Sequence, residues 1–350
     1  MAKLKDFFRL RFDTHPNQKR RKVYRRGEPP LIKKICLCFL EGTRMKKHFL
    51  VVLVASIVVA VSVAGCTGGV KNITSPSPTM STLTPPIPSG LSPAASNLTM
   101  TAIDIGQGDS LLITFPHNES LLVDGGQPSK GPTVVSYLHS VGISHLNAVI
   151  ATHPDADHIG GLFDVLQSIP VDKMYDLGLA KSTATYEKLL QIVKDKDIPY
   201  VNPLAGDTIN LDPDTTVLVL NPSLPFFPMA TDSNDNSIVI KITYQHISYL
   251  LTGDAASAAE ARMISLFNCS AYVLKVGHHG SRYSSSATFL KAVQPHIAVI
   301  SVGTGNRFGH PAPETLTRLA AVGATVYRTD QHGTILVTTN GQTVDVGTAR

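Results

Sequence analysis

Cysteine is scarce and poorly placed for a covalent scaffold. The four are Cys36, Cys38, Cys66 and Cys269. Only the last lies in the part of the chain able to build a core, so no disulfide framework holds that part together. Cys36 and Cys38 sit in the apolar stretch Ile35-Cys-Leu-Cys-Phe39 with no second pair after them, which argues against a thiolate metal site. Positive charge is also scarce where it would matter. The formal net charge is +5, yet residues 1–65 hold 15 Lys/Arg against 4 Asp/Glu, and residues 66–350 hold 16 against 22. A mildly acidic body does not attract a phosphate backbone unaided, so a polyanionic substrate would need a local basic patch or bound metal. Long apolar runs are nearly absent. The one hydrophobic segment, Phe49–Ala64, is shorter than the roughly 20 residues of a membrane span, and a channel with several spans is excluded. No short-period repeat is visible, which excludes a solenoid.

Hydrophobic residues make up 43% of the 350-residue chain, enough for one large domain or two ordinary ones. From Met45 a short basic start leads into the apolar run, which ends in small residues: the form of a secretory signal over residues 45–65. Val63-Ala64-Gly65-Cys66 resembles a lipobox. The resemblance implies cleavage before Cys66, a lipid on that residue, and anchoring at the outer face of the cell membrane; the alternative is an uncleaved anchor. A complete signal starting at Met45 leaves residues 1–44 as a basic, Pro-interrupted extension, expected not to be translated in the cell. Residues 66–96 are rich in Ser, Thr, Pro and Gly and read as a flexible tether. Asn-X-Ser/Thr sequons at Asn72, Asn97, Asn118 and Asn268 fit an exported protein.

The folding body is expected over residues 97–350. It opens with short strands, 99–105, 110–115 and 120–124, separated by Gly106-Gln-Gly-Asp109 and Pro116-His-Asn118 turns. Helices are expected near 133–140, 159–168, 256–267, 286–293 and 313–321. Further strands are expected at 148–152, 216–220, 237–243, 247–252, 272–276, 297–302 and 334–338. Leading strands followed by mixed α and β predict two sheets with helices outside.

Four features carry chemistry, and the first three each follow an expected strand. In His153-Pro-Asp155-Ala-Asp157-His158, four potential ligands fall within six residues, a density suited to Zn, Mn or Fe. Asp157 could instead cap the next helix, but a cap explains one Asp and not the set. Thr252-Gly-Asp254 puts a carboxylate at a strand end, able to bridge two metals or merely to begin a turn. In Gly277-His278-His279-Gly280, adjacent side chains on extended backbone point opposite ways, so one histidine is expected as a ligand and the other either to brace the ligands from behind or to contact substrate. The fourth is His310, before a Pro in a loop.

Taken in order, these segments resemble the metallo-β-lactamase superfamily, and within it the soluble nuclease-like domain of ComEC-type DNA-uptake proteins. The segments are Ile103-Asp-Ile-Gly-Gln-Gly-Asp109, Leu121-Leu-Val-Asp-Gly-Gly126, the His153 motif, Asn234-Asp-Asn-Ser237, Thr252-Gly-Asp254, His278-His-Gly-Ser281 and Tyr327-Arg-Thr-Asp330. The resemblance covers about residues 99–345. It implies a four-layered αββα metallo-β-lactamase sandwich with two divalent metal ions at one edge. His153 and Asp155 would hold one; Asp157, His158 and one of His278/His279, preferably His279, would hold the other; Asp254 would bridge them. Asp124 and Asn236 would brace the ligands from behind. The wider superfamily has histidines where Asp155 and Asn236 stand here. The harder donors favour Mn²⁺ or Mg²⁺ over Zn²⁺ and weaken a β-lactamase assignment.

The expected activity is hydrolysis of a phosphodiester, extracellular DNA above all, by water ionised between two metals. Asp157 would steer the attack, and His310 or the non-ligand member of His278/His279 would protonate the leaving oxygen. Ser281, Arg282 and Arg307 are candidates to hold substrate phosphate. The expected partners are DNA, the membrane through Cys66, and a DNA-uptake channel. Two rival readings stand beside this one: hydrolysis of another ester such as a lactone or a choline-type phosphodiester, and a surface protein that captures DNA without cutting it.

Overall fold

The computed structural model describes residues 97–179, 183–229 and 233–350. The extension 1–44, the signal 45–65, Cys66 and the tether 66–96 lie outside the described residues. Among the described residues no helix is long and apolar enough to cross a membrane.

Two-residue alternation builds the first sheet. In β1 (Leu98–Ala102), Leu98, Met100 and Ala102 enter one core; β2 (Leu111–Thr114) adds Leu111 and Ile113, and β3 (Ser120–Val123) adds Leu121 and Val123. These strands form an antiparallel meander. The chain then passes through helix α1 (Gly131–Ser140) to β4 (Ala148–Ile150), through α2 (Ala156–Ile159) and α3 (Leu162–Ser168) to β5 (Met174–Tyr175), and through α4 (Ala184–Asp195) to β6 (Tyr200–Val201). From β3 to β6 the pairing is parallel, and parallel strands need such crossovers. Leu112, Leu122 and Val149 on the outer face are buried as well, as expected for strands covered on both sides.

The second sheet repeats the plan. β7 (Thr208–Ile209), β8 (Thr215–Asn221), β9 (Val239–Tyr244) and β10 (Ile247–Leu251) are antiparallel. Helices α5 (Ser257–Leu266), α6 (Ala287–Val293) and α7 (Pro313–Ala321) then alternate with parallel strands β11 (Val273–Lys275), β12 (Ile297–Ile300) and β13 (Thr325–Arg328). After α8 (Thr329–His332), β14 (Ile335–Thr339) returns to the first sheet beside β1, and β15 (Val344–Thr348) closes its edge. The strand orders are β15-β14-β1-β2-β3-β4-β5-β6 and β13-β12-β11-β10-β9-β8-β7.

One core lies between the sheets, where Met100, Ile113 and Ile150 share a cluster with Val219, Ile240 and Tyr249. A second core joins the outer face of the second sheet (Leu250, Leu274, Ile300) to Met263, Phe289 and Leu319 of its helices. The layers are therefore α, β, β, α, as the resemblance implies. Strands β5, β6, β7, β13 and β15 and helix α4 are additions to the sequence expectations. The helix expected over 159–168 is interrupted at Gly160-Gly161, where any side chain on Gly161 would collide with the Gly125 carbonyl.

Candidate metal centre

Four strands run to the same edge of the sandwich and there deliver their polar residues: β3 leads to Asp124, β4 to His153, β10 to Asp254 and β11 to the His278-His279 pair. Ligand sites gather at the carboxyl ends of parallel strands for this reason. Asp254 is the centre. It is 3% exposed, and its Oδ2 lies 3.8 Å from His153 Nε2, 3.3 Å from His158 Nε2, 3.6 Å from His278 Nε2 and 3.7 Å from His279 Nε2. Asp157 Oδ2 is 3.7 Å from His279 Nε2, and Asp155 Oδ2 is 3.9 Å from His153 Nε2. Among the overlapping groups whose donor atoms lie within 4.8 Å of one another are His153, His158 and Asp254, and Asp157, His158 and His279. His158 belongs to both. No side chain caps α2, so Asp157 is not consumed as a helix cap.

Hydrogen bonds behind the rings set their tautomers. Asp124, fully buried, accepts from Thr152 N at 2.8 Å, from Thr152 Oγ1 at 2.7 Å and from His158 Nδ1 at 2.8 Å. The Thr152 hydroxyl donates its one hydrogen bond to Asp124, so it accepts from His153 Nδ1 at 3.0 Å. His279 Nδ1 donates to the Ser301 carbonyl at 3.0 Å. Each Nδ1 therefore carries its proton, and each Nε2 presents a lone pair inward. The Nε2 atoms of His153, His158 and His279 are buried without a hydrogen-bond partner, as is Asp254 Oδ1. Buried polar atoms are rarely left so, and three imidazole nitrogens gathered round one buried carboxylate fit a divalent cation.

The electrostatics agree. Burial opposes charge on His158, but Asp254 and Asp124 outweigh it and raise its pKa well above the usual value. Burial likewise opposes charge on His279, yet Asp254 and Asp109 lift it to about 9. Burial and the adjacent His158 push His153 down to about 4. Against its own burial, Asp157 is drawn down to about 2 by its bond to His279 and the charge of His158. The centre is a buried field that calls for positive charge, which a metal ion on the same Nε2 atoms would supply.

The pair His278-His279 departs from expectation. Both residues lie in the left-handed region, with φ 49° and 54°, not on extended backbone. Both rings consequently turn toward Asp254. Such φ values are strained for residues with a side chain and persist where the surroundings enforce them. The two still differ. His278 Nδ1 lies 3.5 Å from the Asn234 amide nitrogen, at the outer limit of a hydrogen bond, and so lacks the firm anchor that His279 Nδ1 has in the Ser301 carbonyl. His279, 1% exposed against 31% for the His278 side chain, is the better ligand.

Asn236 does not brace the ligands. Its amide accepts from Phe227 N and donates to Phe227 O, holding that loop. The neighbouring Ser237 takes the expected place, its Oγ accepting from Asp254 N at 3.2 Å. Ser281 is 2% exposed, and its hydroxyl accepts the Tyr283 amide, so it does not face open solvent. Arg282 and Arg307 are exposed; the first pairs with Glu314 at 3.4 Å and the second lies over Phe308. His310 is brought to the centre, its ring centroid 5.5 Å from that of His278 and 6.5 Å from that of His279. Burial and the charges of these two rings push its pKa down to about 4.

Other supports were not assigned a role from sequence. Asp109 and Lys275, 1% and 0% exposed, form an ion pair at 2.7 Å directly behind His279, whose Nδ1 lies 3.4 Å from Asp109 Oδ1. Asp109 N donates to Asp157 O, and Gly108, at φ 125°, packs so closely on that carbonyl that no side chain fits. The Gly106-Gln-Gly-Asp109 turn is thus the floor of the centre. Asp104 accepts from Gly106 N and from Arg350, and Gln107 accepts from Gly303 N. Buried Glu260 accepts the Ser285 and Ser286 amides and so fixes the loop after His279.

Residues 103–304 match the Metallo-beta-lactamase superfamily, and the chain belongs to that superfamily. The fold is that of a metallo-hydrolase. The narrower likeness is to competence proteins. The chain is 35% identical over 251 residues to ComE operon protein 3 of Bacillus subtilis, covering 67% of this chain and 32% of that protein. It is 29% identical over 245 residues to competence protein ComA of Neisseria gonorrhoeae, covering 67% and 31%. It thus spans about a third of the length of these relatives. Among solved structures it is similar to Igni18, a metallo hydrolase from the archaeon Ignicoccus hospitalis, with TM-score 0.46 and 15% identity over 68% of this chain and 98% of that one.

Proposed function

We propose that this metallo-hydrolase is an exported, lipid-anchored phosphodiesterase that cuts nucleic acid, above all extracellular DNA. The observation that carries the reading is the convergence of three buried imidazole lone pairs on Asp254. His153, His158, His279, Asp254 and Asp157 would hold divalent metal, with Asp155 beside His153; two ions, Mn²⁺, Zn²⁺ or Mg²⁺, suit this donor set. Bound there, such ions supply water ionised near neutral pH and neutralise charge on a phosphoryl group.

The chain's own residues do the rest. Asp157 is ionised, and its side chain is 30% exposed, so it can orient an attacking water and accept its hydrogen bond. His278 Nε2, 3.6 Å from Asp254 Oδ2 on a side chain that is 31% exposed, is placed to donate to a phosphoryl or leaving oxygen. His310, its ring 5.5 Å from that of His278, stands beside it as the second candidate to protonate that oxygen. Arg282 and Arg307 place positive charge locally on an otherwise acidic body, and guanidinium suits phosphate. The competence names of the relatives favour DNA over a lactone or a choline-type ester, and Cys66 with its tether would hold the domain beside an uptake channel.

The test is cleavage of bis-p-nitrophenyl phosphate and single-stranded DNA by the purified chain with Mn²⁺, Mg²⁺ or Zn²⁺. Metal-dependent cleavage abolished in Asp157→Ala is expected. Unchanged activity in that variant would refute the mechanism. Bound metal without cleavage of either substrate would move the assignment to another ester.

A further inference from the structure

Among the described residues, two aromatic side chains are exposed by more than a third, Tyr283 at 72% and Phe308 at 51%. Both stand on loops of the candidate centre. Tyr283 follows the His278-His279 turn, and Phe308 precedes His310. The two loops touch: Ala312 N donates to Gly280 O, and Pro311 packs against Gly280. Each aromatic has an arginine as its sequence neighbour, Arg282 and Arg307. The Arg307 guanidinium lies 5.0 Å from the Phe308 ring centroid. Phe308 stacks on His310 at 5.8 Å and 26°, and His310 in turn meets His278. A row of flat groups, Phe308, His310 and His278, therefore leads from solvent to the centre, with the Arg307 guanidinium at its outer end and Tyr283 on the adjoining loop. The charge of Arg282 also reaches His310.

Singly exposed apolar side chains are ordinary, but here the two exposed aromatics both stand on loops of the centre, each with an arginine beside it. They match the requirements of one polymer: π faces for bases and cations for the linking phosphates. A duplex hides its base faces and offers only phosphates here. We propose that Tyr283 and Phe308, with Arg282 and Arg307, form a stacking platform that takes unpaired bases flanking the phosphodiester at the centre, so that the substrate is a single strand. The inference rests on the phosphodiesterase reading for its orientation, and on the exposed rings alone for the binding.

Binding and cleavage are separable. Anisotropy of a fluorescein-labelled 15-mer of thymidylate would be measured with the full chain in EDTA, beside a duplex of equal length. Tyr283→Ala and Phe308→Ala should each weaken single-strand binding about tenfold, the size of one lost base stack. Tyr283→Phe and Phe308→Tyr, which keep the ring, should bind like the unaltered chain. The duplex should bind more weakly and respond little to either alanine change. Unchanged single-strand binding in the double alanine variant would overturn the platform, as would no binding by the unaltered chain or equal sensitivity of the duplex. A chain that binds by these rings yet cleaves nothing with metal would instead refute the phosphodiesterase reading and leave the platform standing.

Discussion

Lys275→Met tests the support beneath the centre. Lys275 Nζ is 2.7 Å from Asp109 Oδ2 and also donates to Val276 O at 2.9 Å, with both residues essentially fully buried. Methionine keeps much of the stem's volume and removes the charge. What remains is a buried carboxylate without its cation, and breaking a buried pair in this way costs about 3–5 kcal/mol. A domain of this size loses about 2–4 °C in Tm per kcal/mol, so a fall of roughly 6–20 °C is expected. The double variant Asp109→Asn/Lys275→Met removes both charges and should recover most of the loss, since buried pairs replaced together are often nearly neutral. Differential scanning calorimetry in EDTA reads all three proteins without a contribution from metal. If the single variant melts with the unaltered chain, the pair is not the support described here. If the double variant is no better than the single one, lost packing and not unpaired charge is the cause.

Three further outcomes follow from the same geometry. Asp124→Asn gives the Thr152 and His158 contacts one acceptor too few and loosens the His158 tautomer, so Mn²⁺ affinity measured by calorimetry should fall about 10–100-fold; unchanged affinity would refute its role. Gly108→Ala must push a methyl group against the Asp157 carbonyl from a backbone conformation that side chains avoid, and a loss of about 1–3 kcal/mol in urea unfolding is expected; full stability would contradict the close approach. At the far end of the sandwich, the bond to Asp212 raises the His117 pKa. A raised folded value stabilises below the ordinary histidine pKa of about 6.5 and ceases to do so as pH rises through the raised one. The Tm difference between the unaltered chain and His117→Gln should therefore be largest in mild acid and vanish at alkaline pH; a difference that grows with pH would reverse the assignment.

Much of the centre was legible because its residues stand just past apolar strands. Asp124, His153 and Asp254 each follow a short apolar run that reads as a buried strand, and the ends of these strands, from both sheets, meet at one edge of the sandwich. The backbone of His278 and His279 was not legible: two histidines after a strand read as extended, whereas the turn closed by His278 N on Gly253 O and Ser281 N on His278 O is left-handed. Asn236 and Ser237 differ by one place in a turn, and the turn decides which of them faces Asp254. The Asp109–Lys275 pair joins residues far apart in sequence, and neither residue alone marks the other. The strands β5, β6 and β7 have two residues each, too few for a period, and exist through neighbours already in place. The helix over Ala184–Asp195, by contrast, had its signals in view, with Thr183 capping and Leu189, Leu190 and Val193 buried.

The most direct test is metal titration of the purified chain with cleavage measured in the same samples. Mn²⁺ or Zn²⁺ should bind at up to two ions per chain, with cleavage of bis-p-nitrophenyl phosphate and single-stranded DNA rising with occupancy, and both binding and cleavage should collapse in Asp254→Asn. A chain that takes up no divalent metal under any condition, or cleaves equally well with Asp254→Asn in place, would contradict the account at its centre.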